Sequence, residues 1–157
     1  MKISKLSIVV PVYNEKNTIE TILNRLEDVD LGVEKEIIVV DDGSKDGTCD
    51  ILKKYESRYK VLYHEQNQGK GAAVRTGFKN MSGDYAVIQD ADLEYNPKDF
   101  KRMLEYAKAN NAEVVYGSRR LGKGNSPTAG WQYYLGGVFL TFLTNLLYGT
   151  KITDEAT

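Results

Sequence analysis

The sequence predicts an α/β domain built on a mostly parallel sheet with helices on both faces, and three observations carry that expectation. Short runs rich in Val and Ile recur along the chain. Apolar residues at helical spacing follow most of them. The unusual polar residues fall directly after the runs, where open α/β sheets bind their ligands. Branched strands separated by helices of about ten residues belong to parallel sheets covered on both sides.

In chain order, residues 6–12 (LSIVVPV) read as a first strand, and Ile19, Ile22, Leu23 and Leu26 mark the helix that follows. Residues 36–40 (EIIVV) read as a second strand, running into Asp41-Asp42-Gly43 and a helix that carries Ile51, Leu52 and Tyr55. Residues 60–64 are a shorter third strand, followed by the glycine-punctuated segment 67–71 and a helix expected over 72–80. A fourth strand starts at Tyr85. Asn96-Pro97 then supplies a cap and a favoured first helical residue for a helix bearing Phe100, Met103, Leu104 and Ala107. Residues 112–117 (AEVVYG) are expected as a fifth strand.

A chain of 157 residues is one domain's worth, and a net charge of -1 lacks the positive balance of a protein that tracks nucleic-acid phosphates. Nucleic acid is therefore not an expected partner. Cys49 stands alone, which rules out an intrachain disulfide and suits a reducing compartment. Its position within a helical pattern favours a small apolar role over a nucleophilic one. Met1 and Lys2 lead straight into strand-like sequence without a signal-type apolar core, so a cytoplasmic location is expected. His64 at the end of the third strand reads as structural, and the Tyr residues on helix faces read as packing.

The richest stretch is 85–94, YAVIQDADLE, in which an apolar run ends in two carboxylates. Residues two apart in an extended chain share a side, so Asp90 and Asp92 crowd together. Two such anions repel unless one is protonated or a cation lies between them, and a divalent cation is the economical solution. The strand ends offer further polar groups on the same rim: Tyr13-Asn14-Glu15, Asp41-Asp42-Gly43-Ser44, Asn67 to Gly71, and Ser118-Arg119-Arg120. Each alone reads equally as a turn, a cap or a solvated pair. Together on one rim they suit a nucleotide diphosphate. Asp42 accepts from a base or ribose, Lys70 and Arg119 neutralise phosphate oxygens, and Asp92 with Asp90 and Glu94 holds Mg2+ or Mn2+.

The segments SIVVPVYNE (7–15), VDDGSKDGT (40–48), NQGKGAA (67–73), QDADLE (89–94) and GSR (117–119) resemble, in order, the motif series of family 2 glycosyltransferases of the GT-A fold. The branch with dolichyl-phosphate mannose synthase and bacterial polyprenyl-phosphate glycosyltransferases is the most similar. The resemblance implies a nucleoside pocket lined by Pro11, Tyr13, Glu15 and Asp42, with Gln89 in the substrate-binding set. It also implies a DxD motif at Asp90 and Asp92, with Glu94, where relatives carry Gln, as a further metal ligand. The implied reaction moves a sugar from a nucleotide diphosphate sugar to an acceptor, with inversion. Asp154 resembles the family's later acidic motif and is the candidate base for an alcohol acceptor. A lipid phosphate is already ionised and needs only positioning, for which Arg119 and Arg120 are anchors.

Relatives of that kind continue well past the TDxxT motif, whereas this chain ends within it, so a single, truncated domain over 1–157 is expected. Residues 131–148 read as a helix that is apolar on most sides, with a thin stripe of Thr141, Thr144 and Asn145. At about the length needed to span a bilayer, yet broken by Gly136 and Gly137, it is a marginal transmembrane segment. An interfacial helix at the cytoplasmic face of a membrane, a contact with a second copy, and core packing all remain open. The loop over 121–130 is expected to close over ligand.

Other functions fit less well. A dinucleotide oxidoreductase would need a third glycine where Val74 stands, and a phosphate-binding NTPase would need GxxxxGK[ST], which does not occur. A receiver-like domain would not account for the second acidic pair. A sugar nucleotidyltransferase and a donor-binding fragment without turnover are the remaining alternatives.

Overall fold

The structure is a computed structural model that describes residues 3–118 and 131–153, with side chains from residue 135 onward in the second stretch. Arg119, Arg120, the 121–130 loop and Asp154 lie outside the described residues. Two compact units divide the chain, Met1–Leu104 and Glu105–Thr157.

The first unit holds the sheet. Strand β1 (Lys5–Val12) leads to helix α1 (Ile19–Asp28), β2 (Glu34–Asp41), α2 (Thr48–Leu52), β3 (Lys60–Tyr63), α3 (Lys70–Lys79) and β4 (Tyr85–Ile88). The strands run parallel in the order β3-β2-β1-β4. Chain direction across the sheet reverses after β3, so right-handed crossovers place α3 on the face opposite α1 and α2. This produces the two-sided cover that the sequence predicts. It also puts the reversal between β1 and β4, where their carboxyl ends open a crevice.

Core burial follows the predicted periodicities. Leu6 through Val12 are all buried on β1, and Ile19, Ile22, Leu23 and Leu26 are the buried residues of α1. Lys35 on β2 donates from Nζ to the carbonyls of Leu26, Glu27 and Val29 at 2.9, 2.6 and 2.7 Å. Those are carbonyls at the end of α1, where a cation is favoured, so the bond set fixes the return from helix to strand. On the other face Ile38 and Val40 pack with Ala73 of α3 and with Leu62.

Two expectations are corrected. Helix α3 starts at Lys70 rather than 72, because Gly69 takes φ 89° and ψ 155° and its carbonyl receives the N–H groups of Ala72 and Ala73 at 2.9 and 3.2 Å. Few residues but glycine adopt that backbone. The expected fifth strand at 112–117 is not formed among the described residues, and Val114 and Tyr116 are exposed. Strand-favouring residues make a strand only when their backbone groups meet a neighbour.

Helix α4 (Asp99–Asn110) crosses the boundary between the units, with Phe100 and Leu104 buried before it and Ala107 after. Asn96 prepares its start, its side chain accepting from Lys98 N at 3.1 Å. In the second unit, α5 (Trp131–Tyr148) ends at Gly149, whose φ is 63°. Beyond it, Asn145 binds the backbone of Ile152 at both N–H and carbonyl, each at 2.9 Å, and accepts from Thr150 at 2.8 Å. Phe139, Phe142, Leu146 and Leu147 of α5 are exposed. No described helix is long and apolar enough to cross a membrane.

Helix α3 meets the sheet closely at Gly77, where a Cβ would lie 2.3 Å from Cγ1 of Val9, itself fully buried. Gly77→Ala gains about 1 kcal/mol of helix propensity but overpacks a site with no room, which costs about 1–3 kcal/mol. The expected net result is a lower urea midpoint, with Val9→Ala in the same chain restoring much of the loss.

Candidate active site

Four loops at the carboxyl ends of the strands meet around a cleft of ≈ 280 Å³. Pro11, Tyr13 and Glu15 reach it from β1, Asp42 from β2, Asn67 and Lys70 from the β3–α3 connection, and Asp90 and Asp92 from β4. The loops are tied to one another by side-chain bonds to backbone. Asn14, at φ 57°, donates its N–H to Ser44 Oγ and accepts from Lys45 N, both at 2.8 Å. Asp46 accepts from Lys16 N at 3.1 Å. Glu15 is held by Thr18, whose hydroxyl donates to its carboxylate at 2.5 Å.

The two aspartates that end β2 point in opposite directions, as successive strand residues must. Asp41 is fully buried toward α2 and accepts from Cys49 Sγ at 2.9 Å and Ser44 N at 3.2 Å, while its Oδ1 has no hydrogen-bond partner. Burial, together with the bond to Asp41 and its charge, pushes the Cys49 thiol up to about 11. Cys49 is therefore a protonated donor to Asp41 at neutral pH.

Asp42 turns to the α3 side. Oδ1 meets His64 Nδ1 at 2.6 Å and accepts from Gln68 N at 3.0 Å, and Oδ2 accepts from Gly69 N at 2.8 Å. His64 Nε2 meets Thr76 Oγ1 at 2.9 Å, so a chain of bonds runs from the end of β2 into α3. Burial alone would raise the Asp42 carboxyl. The bonds from Gln68, His64 and Gly69 outweigh it and hold the group below its ordinary value. Three of about four acceptor directions of that carboxylate are thus filled from within the protein. His64, which the sequence marked only as structural, is the side chain that orients Asp42.

After β4 the chain makes a tight loop. Gln89 is buried, and its Nε2 donates to the carbonyls of Asp90 at 2.9 Å and Tyr95 at 3.5 Å, bracing both ends of residues 90–95. Gln89 was expected to touch substrate; instead it faces inward and does not line the cleft. Leu93 takes φ 67°, and Asp92 accepts from Glu94 N at 3.0 Å across the turn. Lys70, the first residue of α3, places Nζ 2.6 Å from Oδ1 and 2.8 Å from Oδ2 of Asp90.

Asp90 and Asp92 share the cleft as their spacing predicts, whereas Glu94 is absent from its lining. Among the described residues no three His, Cys, Asp or Glu side chains are gathered into a metal-binding group. The expected trio of Asp90, Asp92 and Glu94 is therefore not assembled. The donor set that remains, two carboxylates on one accessible cleft, fits Mg2+ or Mn2+, which keep water and substrate oxygens for their other positions. Val12, Ala73 and Ala91 also line the cleft; each lies within a motif segment, but an apolar side chain gave no reason to single it out.

Comparison with known proteins decides the family. The model of glycosyl transferase family 2 matches residues 7–156. The chain belongs to that family. It is 35% identical over 132 residues to a dolichol-phosphate mannosyltransferase of Pyrococcus furiosus, a match covering 83% of this chain and 37% of the relative. It is 32% identical over 166 residues to a UDP-N-acetylglucosamine–dolichyl-phosphate N-acetylglucosaminyltransferase of Methanococcus voltae, covering 94% and 65%. This family 2 chain therefore spans less than two thirds of those relatives. Among solved structures, the mannosyltransferase PcManGT of Pyrobaculum calidifontis with GDP-Man and Mn2+ is similar at TM-score 0.57 and 26% identity, covering 65% of this chain and 32% of that one. The α/β sheet is thus the GT-A fold implied by the motif series.

Because the Asp42 carboxyl is held low, the stability it lends is full above its unfolded-state range near pH 4 and is lost as pH falls through its lower folded-state value. Asp42→Asn replaces one carboxylate oxygen by an amide donor, which then opposes the N–H of either Gln68 or Gly69. The variant is expected to melt lower at pH 7, and the gap to the wild type should narrow as the pH falls from 5 to 3, as read by thermal denaturation across that range.

Proposed function

We propose that this chain supplies the donor-binding site of a transferase that moves a sugar from a nucleotide diphosphate sugar to a dolichyl or other polyprenyl phosphate, with inversion at the transferred carbon. The observation that carries the reading is the convergence on one cleft of Pro11, Tyr13, Glu15, Asp42, Lys70, Asp90 and Asp92 from four separate strand ends of the rim. The two relatives, whose names pair a dolichyl phosphate with a mannosyl or N-acetylglucosaminyl group, support the acceptor class and are compatible with either UDP or GDP.

In this reading Tyr13 and Pro11 flank the nucleoside, while Asp42 offers its remaining acceptor direction to it. Lys70 neutralises phosphate oxygens. Asp90 and Asp92 hold a divalent cation, Mn2+ as in the PcManGT structure or Mg2+, and that ion offsets the charge that develops on the departing diphosphate. Gln89 keeps the two aspartates in place through the backbone. Arg119 and Arg120 anchor the acceptor phosphate, and Asp154 is the base should the acceptor be an alcohol, such as a glycan hydroxyl. The exposed apolar side chains of α5 are the surface that meets the membrane carrying the lipid acceptor, at its cytoplasmic face.

Titration calorimetry with UDP, GDP, UDP-N-acetylglucosamine and GDP-mannose, each with Mn2+ and with EDTA, tests the donor half. One nucleotide is expected to bind, and only with the metal. Asp92→Ala should weaken that binding about 10- to 100-fold, as for a lost charge-assisted contact, with an unchanged circular dichroism spectrum. Equal affinity in Mn2+ and EDTA would remove the metal from the reading. Donor binding without transfer to polyprenyl phosphate would confine the chain to a donor-binding role, and formation of a nucleotide sugar from sugar phosphate and nucleoside triphosphate would make it a nucleotidyltransferase.

A further inference from the structure

We infer that Lys70 is an internal stand-in cation for Asp90, and that its exchange between Asp90 and the donor diphosphate makes divalent-metal and nucleotide binding cooperative. The inference rests on the donor site proposed above and adds to it an order of events within that site.

The observation is the asymmetry between the two cleft aspartates. Both oxygens of Asp90 lie against a single ammonium, at 2.6 and 2.8 Å, whereas among the described residues Asp92 accepts only from the backbone of its own turn. The Lys70 side chain is 63% exposed and that of Asp90 is 24% exposed. An ion pair so placed neutralises the carboxylate but is weak enough to give way. Lys70 also sits on a long flexible stem at the start of α3, where the helix end favours anions. The same ammonium that covers Asp90 is thus the cation best placed to follow a phosphate.

Two consequences follow from competition for one carboxylate. Without nucleotide, Lys70 opposes a divalent cation at Asp90, so metal binds weakly. With nucleotide diphosphate present, Lys70 turns to the phosphate oxygens and Asp90 is released to the metal. Each ligand then tightens the other by the same factor, as linkage requires. Asp90 is not left as an unpaired anion at either stage, which limits its repulsion with Asp92.

Mn2+ binding to the nucleotide-free chain, read by electron paramagnetic resonance of the free ion, tests this without any transfer assay. Lys70→Met should bind Mn2+ about two- to fivefold more tightly than the wild type, while Lys70→Arg, which keeps the charge, should not gain. Lys45→Met is the control: Lys45 is exposed on the loop after β2 and makes no ion pair with Asp90. Equal tightening in Lys45→Met would reduce the effect to general charge and overturn the inference, as would unchanged or weaker Mn2+ binding in Lys70→Met. In a second arm, the factor by which Mn2+ tightens the bound nucleotide should shrink in Lys70→Met by about the amount gained in the first. Should no nucleotide bind the wild type, the donor reading fails on its own, and the first arm still decides whether Lys70 competes with metal at Asp90.

Discussion

Strand β1 is hydrogen-bonded in parallel to β2 on one side and β4 on the other, and the rest of the first unit is arranged around that constraint. A parallel strand with two neighbours exposes neither edge and must have both faces covered. Residues 6–12 are accordingly buried without a break, and the helices divide between the two faces. Because β4 returns to the far side of β1 rather than extending the β1-β2-β3 series, the loop after β4 opens beside the loop after β1. The two cleft aspartates therefore face Tyr13 and Glu15 as a consequence of strand order, not of any local preference.

The rim contains carboxylates with three different fates, and packing decides which is which. Asp41 faces α2 and is consumed by Ser44 and Cys49. Asp42, one residue later, faces α3 and binds the 67–69 loop, with His64 as a brace backed by Thr76. Asp90 and Asp92 lie farther out, where they keep access to the cleft and their charge is met by Lys70 and by a turn N–H. The two deeply buried anions draw most of their hydrogen bonds from within the protein, although Asp41 keeps one oxygen without a partner. Those at the mouth remain available for a ligand.

Gln89 shows how the rigid base is made. A side chain in the middle of an acidic, substrate-like motif turns inward and hydrogen-bonds the backbone at both ends of the loop that carries Asp90 and Asp92. What it sets is the position of its neighbours. Leu93 at positive φ adds to the same picture, a non-glycine residue held in a strained backbone state by the turn around it.

Local pattern alone determined the strand and helix series of the first unit, the buried stripe of α1, and the polar clusters that follow β1, β2, β3 and β4, because side-chain period and chain direction are properties of a short segment. The motif series likewise pointed to the family and to the GT-A fold. Tertiary structure decided the remainder. It paired Asp42 with His64 and with the 67–69 loop, set Lys70 on Asp90, buried Gln89, kept Glu94 out of the cleft, and left 112–117 without strand pairing. Each of those outcomes depends on which groups from distant segments complete a hydrogen bond or neutralise a charge. That is fixed by strand order and packing, which no single segment of sequence contains.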